Sequence, residues 1–494
     1  MGKKRSDSWP EIVLSTSDSR LSQALRRAVK AGELKKIATR IYTSNLTDEP
    51  SEIIKRHRYF LLSKLFPKAV ISHRSALEGG ISPEGTVILT YKYTKTVRLP
   101  GLCIRLIEGP GPDEEDTPFL EGMYISSQAR AFLENMQISR TKTTERKTLA
   151  TKEIEQKLER LIRILGNDEV NKLRDQTKRV SRRLGMLDEC TQLDKLIGAL
   201  MGTQPETTLE TDAGMARAKG MPFDTTRVEL FATLCAYLLQ QGLEKVPSQC
   251  TTKQAKTNIA FFEAYFSNYI EGTEFAIEEA EQIIFENKIF RDRPADSHDI
   301  LETFRIVSND PEMHRVPQTD EELFSLLLER HGQLMQARED KMPGKFKTQI
   351  NRAGNTLFVK PEEVRGTLKK GLEFYHKLPK GIARAIFIKF MISEVHPFTD
   401  GNGRIARIFM NAELESQDEC RIIIPTVFRE DYLLALRKLS RMYDPIPYSR
   451  MLVTAQKFTR SISFASYSQA LIQLRASNAF LEPSEGKLRF HAQA

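Results

Sequence analysis

One run of consecutive residues, His396-Pro397-Phe398-Thr399-Asp400-Gly401-Asn402-Gly403-Arg404-Ile405-Ala406-Arg407, combines an imidazole, a carboxylate, a glycine-flanked turn and two guanidiniums. Glycine at 401 and 403 frees the backbone to turn tightly, so that successive N–H groups can converge on an anion. Asp400 is a hard oxygen ligand of the kind Mg²⁺ uses when it bridges phosphates. Arg404 and Arg407, three apart, share one helix face and could both fork onto phosphate oxygens. His396 lies just before the turn, where it could take a proton from an incoming hydroxyl. Alone, each feature has an ordinary explanation as a turn or a solvated face. Together, in one order, they describe a site for a nucleoside triphosphate.

These groups need elements to position them. Arg404–Glu415 has the pattern of a helix, which would set the turn at its positive N-terminus. Ser267-Asn268-Tyr269-Ile270-Glu271-Gly272 falls on or at the end of a helix begun near Asn258. By spacing alone it is a helix C-terminus with an exposed glutamate. Met391, Ile392 and Val395 have the pattern of core. Further back, Asp18–Ala31 is expected to be helical, capped by Ser17 or Asp18, with Leu21, Ala24, Leu25 and Val29 as its apolar stripe. Gly32 stops it. Glu33–Thr43 then suggests a hairpin from which Lys35, Lys36 and Arg40 project, while Arg20, Arg26, Arg27 and Lys30 fall largely off the apolar stripe. Helix, stop and basic hairpin is the order of a winged helix. Thr86–Thr90 and Val97–Ile107 are strand-like, broken at Pro100-Gly101. Thr144–Leu165, Asp168–Leu184 and Leu193–Met201 suggest helices. The second carries Lys172, Arg174, Lys178, Arg179, Arg182 and Arg183, first of all a solvated face. Thr203–Phe223 is the best linker candidate.

A chain of 494 residues exceeds what one hydrophobic core organises. Its 40% hydrophobic and 28% charged residues are those of a soluble globular protein. No apolar run approaches the ~20 residues a membrane span requires. Met1–Trp9 is basic and polar, unlike a secretory signal. Five scattered cysteines, with no Cys-x-x-Cys pair, suggest reduced thiols and a cytoplasmic setting. The net charge of +9 is concentrated: residues 1–100 hold 19 lysines and arginines against 9 aspartates and glutamates. That region is the one to suspect of polyanion contact.

The run from His396 to Arg407 resembles the signature of the Fic family, His-Pro-Phe-x-(Asp/Glu)-Gly-Asn-Gly-Arg-x-x-Arg, at every fixed position. The resemblance covers roughly residues 255–465. It implies an all-helical core and a nucleotidyl transferase, usually moving AMP from ATP to a protein hydroxyl; some relatives move other phosphate-containing groups and some remove AMP. Ser267-x-x-x-Glu271-Gly272 resembles the family's inhibitory motif, and its place N-terminal to the core resembles the second of three regulatory classes. A carboxylate near Arg407 would occupy the guanidinium fork that the γ-phosphate needs. His331 with Gly344-Lys345-Phe346-Lys347 is similar to the upstream helix and the Gly-x-Phe-Arg element, with Lys347 in place of arginine. Asn355-Thr356-Leu357-Phe358-Val359 resembles the flap that holds a target as an added strand. Tyr432 is by position a candidate adenosine contact, although a core aromatic is the plainer reading.

Arg26–Tyr42, with Ala31-Gly32-Glu33-Leu34, Ile37 and Arg40-Ile41-Tyr42, resembles the winged helix of AbiEi-type antitoxin regulators, and Val70–Leu77 resembles the segment that follows it there. The match spans roughly residues 10–140. Ile41 stands where that family usually has glycine, which implies a changed turn.

The expectation is therefore a multidomain, mainly α chain: a winged helix with a small α+β region (1–140), a helical connector (141–220), helices with the inhibitory motif (221–320), an all-α Fic core with a β-hairpin flap (321–465) and a tail (466–494). The expected activity is AMP transfer from ATP with Mg²⁺ onto a Ser, Thr or Tyr hydroxyl. His396 would be the base, Asp400 the metal ligand, and Gly401, Asn402, Gly403, Arg404 and Arg407 the phosphate cradle. Ser267, Glu271 and Gly272 would inhibit in cis, and Thr356, Leu357 and Phe358 would dock the target. DNA and a second copy of the chain are candidate partners, and no membrane is involved. AMP removal, with Glu271 positioning water, and DNA-binding regulation are the alternatives.

Overall fold

The computed structural model describes residues 9–139, 146–354 and 356–490. Met1–Ser8, Thr144 and Asn355, part of three of the readings above, lie outside the described residues. The chain divides into two compact units, which meet between Ala218 and Lys219.

The N-terminal unit begins with a three-stranded antiparallel sheet, Ile12–Leu14, Ile41–Thr43 and Lys35–Ala38 in that order, and one helix, Ser19–Lys30. Asp18 caps the helix by accepting the Arg20 N–H. Leu25 and Ala28 are its buried residues; Val29, expected on the stripe, is exposed. Arg40 takes the left-handed conformation in the hairpin turn, and Ile41 is fully buried, which is why a side chain rather than a glycine stands there. Arg20, Arg26, Arg27, Lys30, Lys35, Lys36 and Arg40 are all exposed. Arg40, however, donates through Nε and Nη2 to the Ser15 carbonyl, so it braces the hairpin.

A six-stranded mixed sheet follows, in the order Lys95–Leu99, Leu102–Glu108, Thr86–Tyr91, Val70–Ile71, Met123–Ile125 and Thr117–Phe119. Alternation assigns its faces: Val87, Leu89, Leu102, Ile104 and Leu106 enter one core. The helices Thr151–Leu165, Asn167–Leu184 and Leu187–Leu200 build a second core. Two of their starts differ from expectation. The first begins at Thr151, not Thr144, because Glu153 accepts the Ala150 N–H and closes the first turn there. The third begins at Leu187, where Asp188 and Glu189 supply the acidic first turn. The basic helix is largely ion-paired: Arg183 with Asp113, Glu114 and Glu115, and Arg174 with Asp194.

The C-terminal unit is helical apart from one two-stranded hairpin, Arg352–Ala353 with Thr356–Leu357. At its centre, every residue of the helix Ile382–Val395 except Ser393 is buried, as expected for a helix apolar nearly all round. It packs along Asn402–Glu415, and Lys253–Ile270 lies against the latter. The last helix starts at Lys253, earlier than Asn258, because Thr252 caps it by accepting the Ala255 N–H. It stops where Gly272 takes φ 91°. Phe266 stacks on Phe480, and Tyr269 Oη donates to Glu482 at 2.7 Å, fixing the end that carries Glu271. Among the described residues no helix is long and apolar enough to cross a membrane, and all five cysteines are free thiols.

Candidate active site

His396 is the residue that ends the central helix. It takes the left-handed conformation (φ 53°), which turns the chain sharply away from the helix axis. Its Nδ1 lies 3.3 Å from the Ser393 carbonyl. A carbonyl only accepts, so Nδ1 carries the proton and Nε2 keeps its lone pair. Burial and the nearby Lys347 ammonium push the imidazole down to about 4, so it is neutral at physiological pH. Phe358 of the hairpin stacks on the ring, 3.8 Å between centroids and 8° from parallel.

The turn that follows is held from three sides. Asn402 accepts the Phe398 N–H at 2.8 Å and donates to the Phe398 carbonyl at 2.9 Å. Both ends of its amide are thus engaged, so the side chain shapes the turn. Only its backbone N–H remains for an anion. His331 accepts the Gly344 N–H on Nδ1 and donates from Nε2 to the Asp400 carbonyl, with its ring stacked on Phe398. Burial pushes its pKa down to about 4, which keeps the ring neutral, and the two hydrogen bonds set the tautomer. Lys347 bonds Pro397 through its backbone N–H and Asn351 through its ammonium. Burial and the Arg227 charge bring that ammonium down to about 7, and no carboxylate partners it among the described residues. Asn402→Ala leaves a buried N–H and C=O unpaired at a cost of about 2 kcal/mol. The expected result in a thermal melt is a midpoint several degrees lower, with nucleotide binding weakened as well.

Gly401 sits at φ 74°, and a Cβ there would lie 2.9 Å from Met335 Sδ. Asp400 accepts the Gly401 N–H through Oδ1 at 2.7 Å. The next helix, Asn402–Glu415, points its N-terminus at this turn.

The two arginines part company. Arg404 is buried and donates to Asp299 at 2.5 Å and to Asn268 at 3.3 Å. Asp299 is itself fully buried and also takes Arg338. Arg404 therefore anchors the turn to the helix Pro294–Val307, and the two arginines expected to act alike have different partners. Arg407 donates from Nε to Ser267 Oγ (2.9 Å) and from Nη2 to the Ser267 carbonyl (2.8 Å) and Glu271 Oε1 (2.7 Å). Burial alone would raise the Glu271 carboxyl, but Arg407 outweighs it and holds the group below its ordinary range. The carboxylate lies directly over the turn: a Cβ on Gly403 would collide with Glu271 Oε1. Gly272 donates its N–H to the Tyr269 carbonyl, and its positive φ ends the helix and leaves Glu271 at the rim.

A cavity of about 370 Å³ is lined by Glu271, Thr356, Phe358, His396, Gly403 and Tyr432, among others. Tyr432 is buried, as a core aromatic would be, and also borders this space. The hairpin beside it is tethered: Arg227 donates to the Leu357 carbonyl at 2.7 Å and Arg441 to Thr356 Oγ1 at 3.1 Å. Leu357 itself is exposed. Sequence reasoning missed Arg227, Arg441, Asp299 and Lys389. Lys389 lies in the middle of the central helix with no hydrogen-bond partner among the described residues, 4.2 Å from the Tyr432 ring centroid. Burial and Arg407 push its ammonium well below the usual lysine range.

Residues 323–414, which carry this turn, this histidine and this hairpin, match the model of the Fic/DOC family. A segment of 128 residues is 28% identical to the protein adenylyltransferase fic-1 of Caenorhabditis elegans, and equally to that of Caenorhabditis briggsae. The match covers 25% of this chain, and the chain spans about a quarter of the length of these curated relatives. Among solved structures, a Fic domain containing signaling protein from Bacteroides thetaiotaomicron aligns over 49% of this chain and 97% of its own, at 15% identity and TM-score 0.39. Fic-1 from C. elegans aligns over 66% of this chain and 99% of its own, at 15% identity and TM-score 0.37.

Proposed function

We propose that the C-terminal unit transfers AMP from ATP to a Ser, Thr or Tyr hydroxyl of a protein laid along the hairpin 352–357, and that Glu271 restrains the reaction in cis. The observation that carries this reading is the convergence, around one cavity, of a neutral histidine with a free Nε2, the N-terminus of a helix opened by glycines, and a guanidinium already holding an anion. The Glu271 carboxylate stands in for a phosphate. It shares Arg407 and covers Gly403, where the phosphate oxygens would meet the helix N–H groups. The target hydroxyl gives its proton to His396 Nε2 while its oxygen bonds to the α-phosphorus. The bond from that phosphorus to the bridging oxygen breaks, and pyrophosphate leaves. Thr356, Leu357 and Phe358 present the target strand, with Leu357 as the exposed anchor.

Among the described residues no three metal-ligating side chains cluster, so a cation here would rely on one carboxylate and on phosphate oxygens. Asp400 fits that pattern, which is the way Mg²⁺ is commonly held. The ion supplies charge neutralisation on the departing pyrophosphate. Incubation of the full chain and of Glu271→Gly with ATP labelled at the α-phosphate tests the reading. Label on protein supports transfer. Loss of AMP from a pre-modified protein, abolished by Glu271→Gly, would instead favour removal, with Glu271 aligning the water.

For the N-terminal unit we propose contact with DNA, on a separate observation: Arg20, Arg26, Arg27, Lys30, Lys35 and Lys36 are exposed on one helix and the adjoining hairpin. Each phosphate contact releases counterions, so affinity of the full chain for its own promoter region is expected to fall steeply with salt. Charge-reversed Arg26→Glu/Arg27→Glu should flatten that slope by about 2. A slope unchanged by the double variant would remove this face from consideration.

A further inference from the structure

The mixed sheet of the N-terminal unit buries one face in its core and presents the other to a cavity of about 410 Å³. Alternation places the residues. Thr86 pairs with Cys103 and Cys103 with Arg98 across three neighbouring strands; the next row is Ile88, Arg105 and Thr96. Arg74 and Ser75 come from the short helix His73–Leu77, Ser82 and Glu84 from the turn after it, and Arg146 from the segment before Thr151. Four arginines therefore line one concavity, against the two carboxylates Glu78 and Glu84.

Glu78 is already engaged: it holds Arg74 bidentately, at 2.8 and 2.7 Å. Glu84 is held below its ordinary range first by its own backbone N–H and then by Ser82. Arg105 is the informative member. Its Nη1 is buried and has no acceptor among the described residues. A buried guanidinium N–H without an acceptor is costly, and each such group calls for an explanation. Lys147 adds a further cation close enough to Arg105 for the two charges to repel. An excess of positive charge, an unmet donor and the hydroxyls of Ser82 and Thr86 all ask for the same partner, an anion rich in acceptor oxygens. The volume lies in the range of small-molecule pockets.

We propose that this cavity is a binding site for a small phosphate-bearing ligand of pyrophosphate to mononucleotide size, gripped by Arg98, Arg105 and Arg146. It is separate from the nucleotide site of the other unit, and it does not depend on the activity proposed there.

Cys103 offers a local readout. It lines the cavity and is half-buried, whereas the other four cysteines are buried. The full chain is alkylated with iodoacetamide with and without 1 mM pyrophosphate (a concentration of about that order), and the rate at Cys103 is followed by peptide mass spectrometry. The expected result is a slowing of at least about fivefold, lost in Arg98→Ala and in Arg105→Gln. Arg98 is exposed, so its variant is not expected to disturb folding. Equilibrium dialysis provides the count: either variant should bind one pyrophosphate fewer per chain than the wild type. Equal stoichiometry in all three proteins, or protection that survives both substitutions, overturns the proposal. Protection by duplex DNA but not by pyrophosphate overturns it as well, in favour of a nucleic-acid surface.

Discussion

Glu271→Gly is expected to raise AMP transfer on the order of a hundredfold over the wild-type chain, read as α-phosphate label on protein with Mg²⁺ present. The estimate follows from geometry. Arg404 is paired with Asp299, whereas Arg407, aimed by Ser267, has its Nη2 held by Glu271 at 2.7 Å. In the proposed reaction that contact would deny the terminal phosphates both their cation and the space above Gly403, and would leave the α-phosphate out of line with the hydroxyl. A displacement of about 1 Å at a reacting atom costs roughly a hundredfold. Glycine removes the carboxylate and leaves the two Arg407–Ser267 bonds in place, so the guanidinium stays where it is and the fold is expected to survive. The carboxylate is ionised at neutral pH, since Arg407 holds its pKa below the ordinary range, and the restraint should therefore be fully present under assay conditions. A variant that melts like the wild type yet transfers AMP no faster would show that the contact does not restrain the reaction. Ser267→Ala is milder in expectation, because it removes one of the two bonds that aim Arg407 and none of the negative charge.

Much of this site could be read from the chain because its chemistry is contiguous. A turn opened by Gly401 and Gly403 and closed by a helix is local geometry, and local geometry is what residue order encodes best. The partition of the two arginines is not local. Arg404 and Arg407 are alike by spacing and face; what separates them is Asp299, 105 positions away from Arg404, which pairs with that guanidinium while Arg407 pairs with Glu271. Nothing around Asp299 in the sequence distinguishes it from an ordinary helical carboxylate. Lys389 was hidden for a related reason: a single lysine in an apolar helix reads as a residue that reaches solvent, and only packing on every side revealed it as a buried amine beside Tyr432. The side-chain bonds of Asn402 were not legible either. In a turn expected to bind phosphate, an amide suggests a ligand contact, yet the buried Phe398 N–H and C=O required satisfaction first. In the N-terminal unit, the β-branched and aromatic content of Thr86–Thr90 and Val97–Ile107, with the break at Pro100-Gly101, made the strands legible, and they are found at 86–91, 95–99 and 102–108. The sheet order was not legible, because the middle strand in sequence, Lys95–Leu99, lies at the edge and lets the other two pair in parallel. The cluster of arginines on its outer face is a product of that order.

His396→Ala carries the largest expected loss, and it is best measured in the Glu271→Gly background, where transfer is high enough to quantify. A positioned general base contributes about 10²–10⁴-fold, so label should fall to or near the background of heat-inactivated protein, while ATP binding, which depends on the turn and Arg407, should change little. The pH profile separates a base from a merely structural histidine. With the imidazole pushed to about 4, the base is unprotonated across the neutral range, and the acid limb of kcat/KM in the free enzyme should fall near pH 4 to 5 rather than near the 6.5 of an ordinary histidine. Bound triphosphate brings negative charge toward the ring and favours its protonated form, so the limb in kcat should lie higher than the limb in kcat/KM. Stability follows the same sign. The folded pKa lies below the unfolded value, so the contribution of this histidine to stability is complete above pH 6.5 and is lost as pH falls through 4. Alanine removes that dependence. If Glu271→Gly/His396→Ala retained the rate of Glu271→Gly, the proton would have to leave by another route, and the catalytic assignment of His396 would be wrong however well the ring is placed.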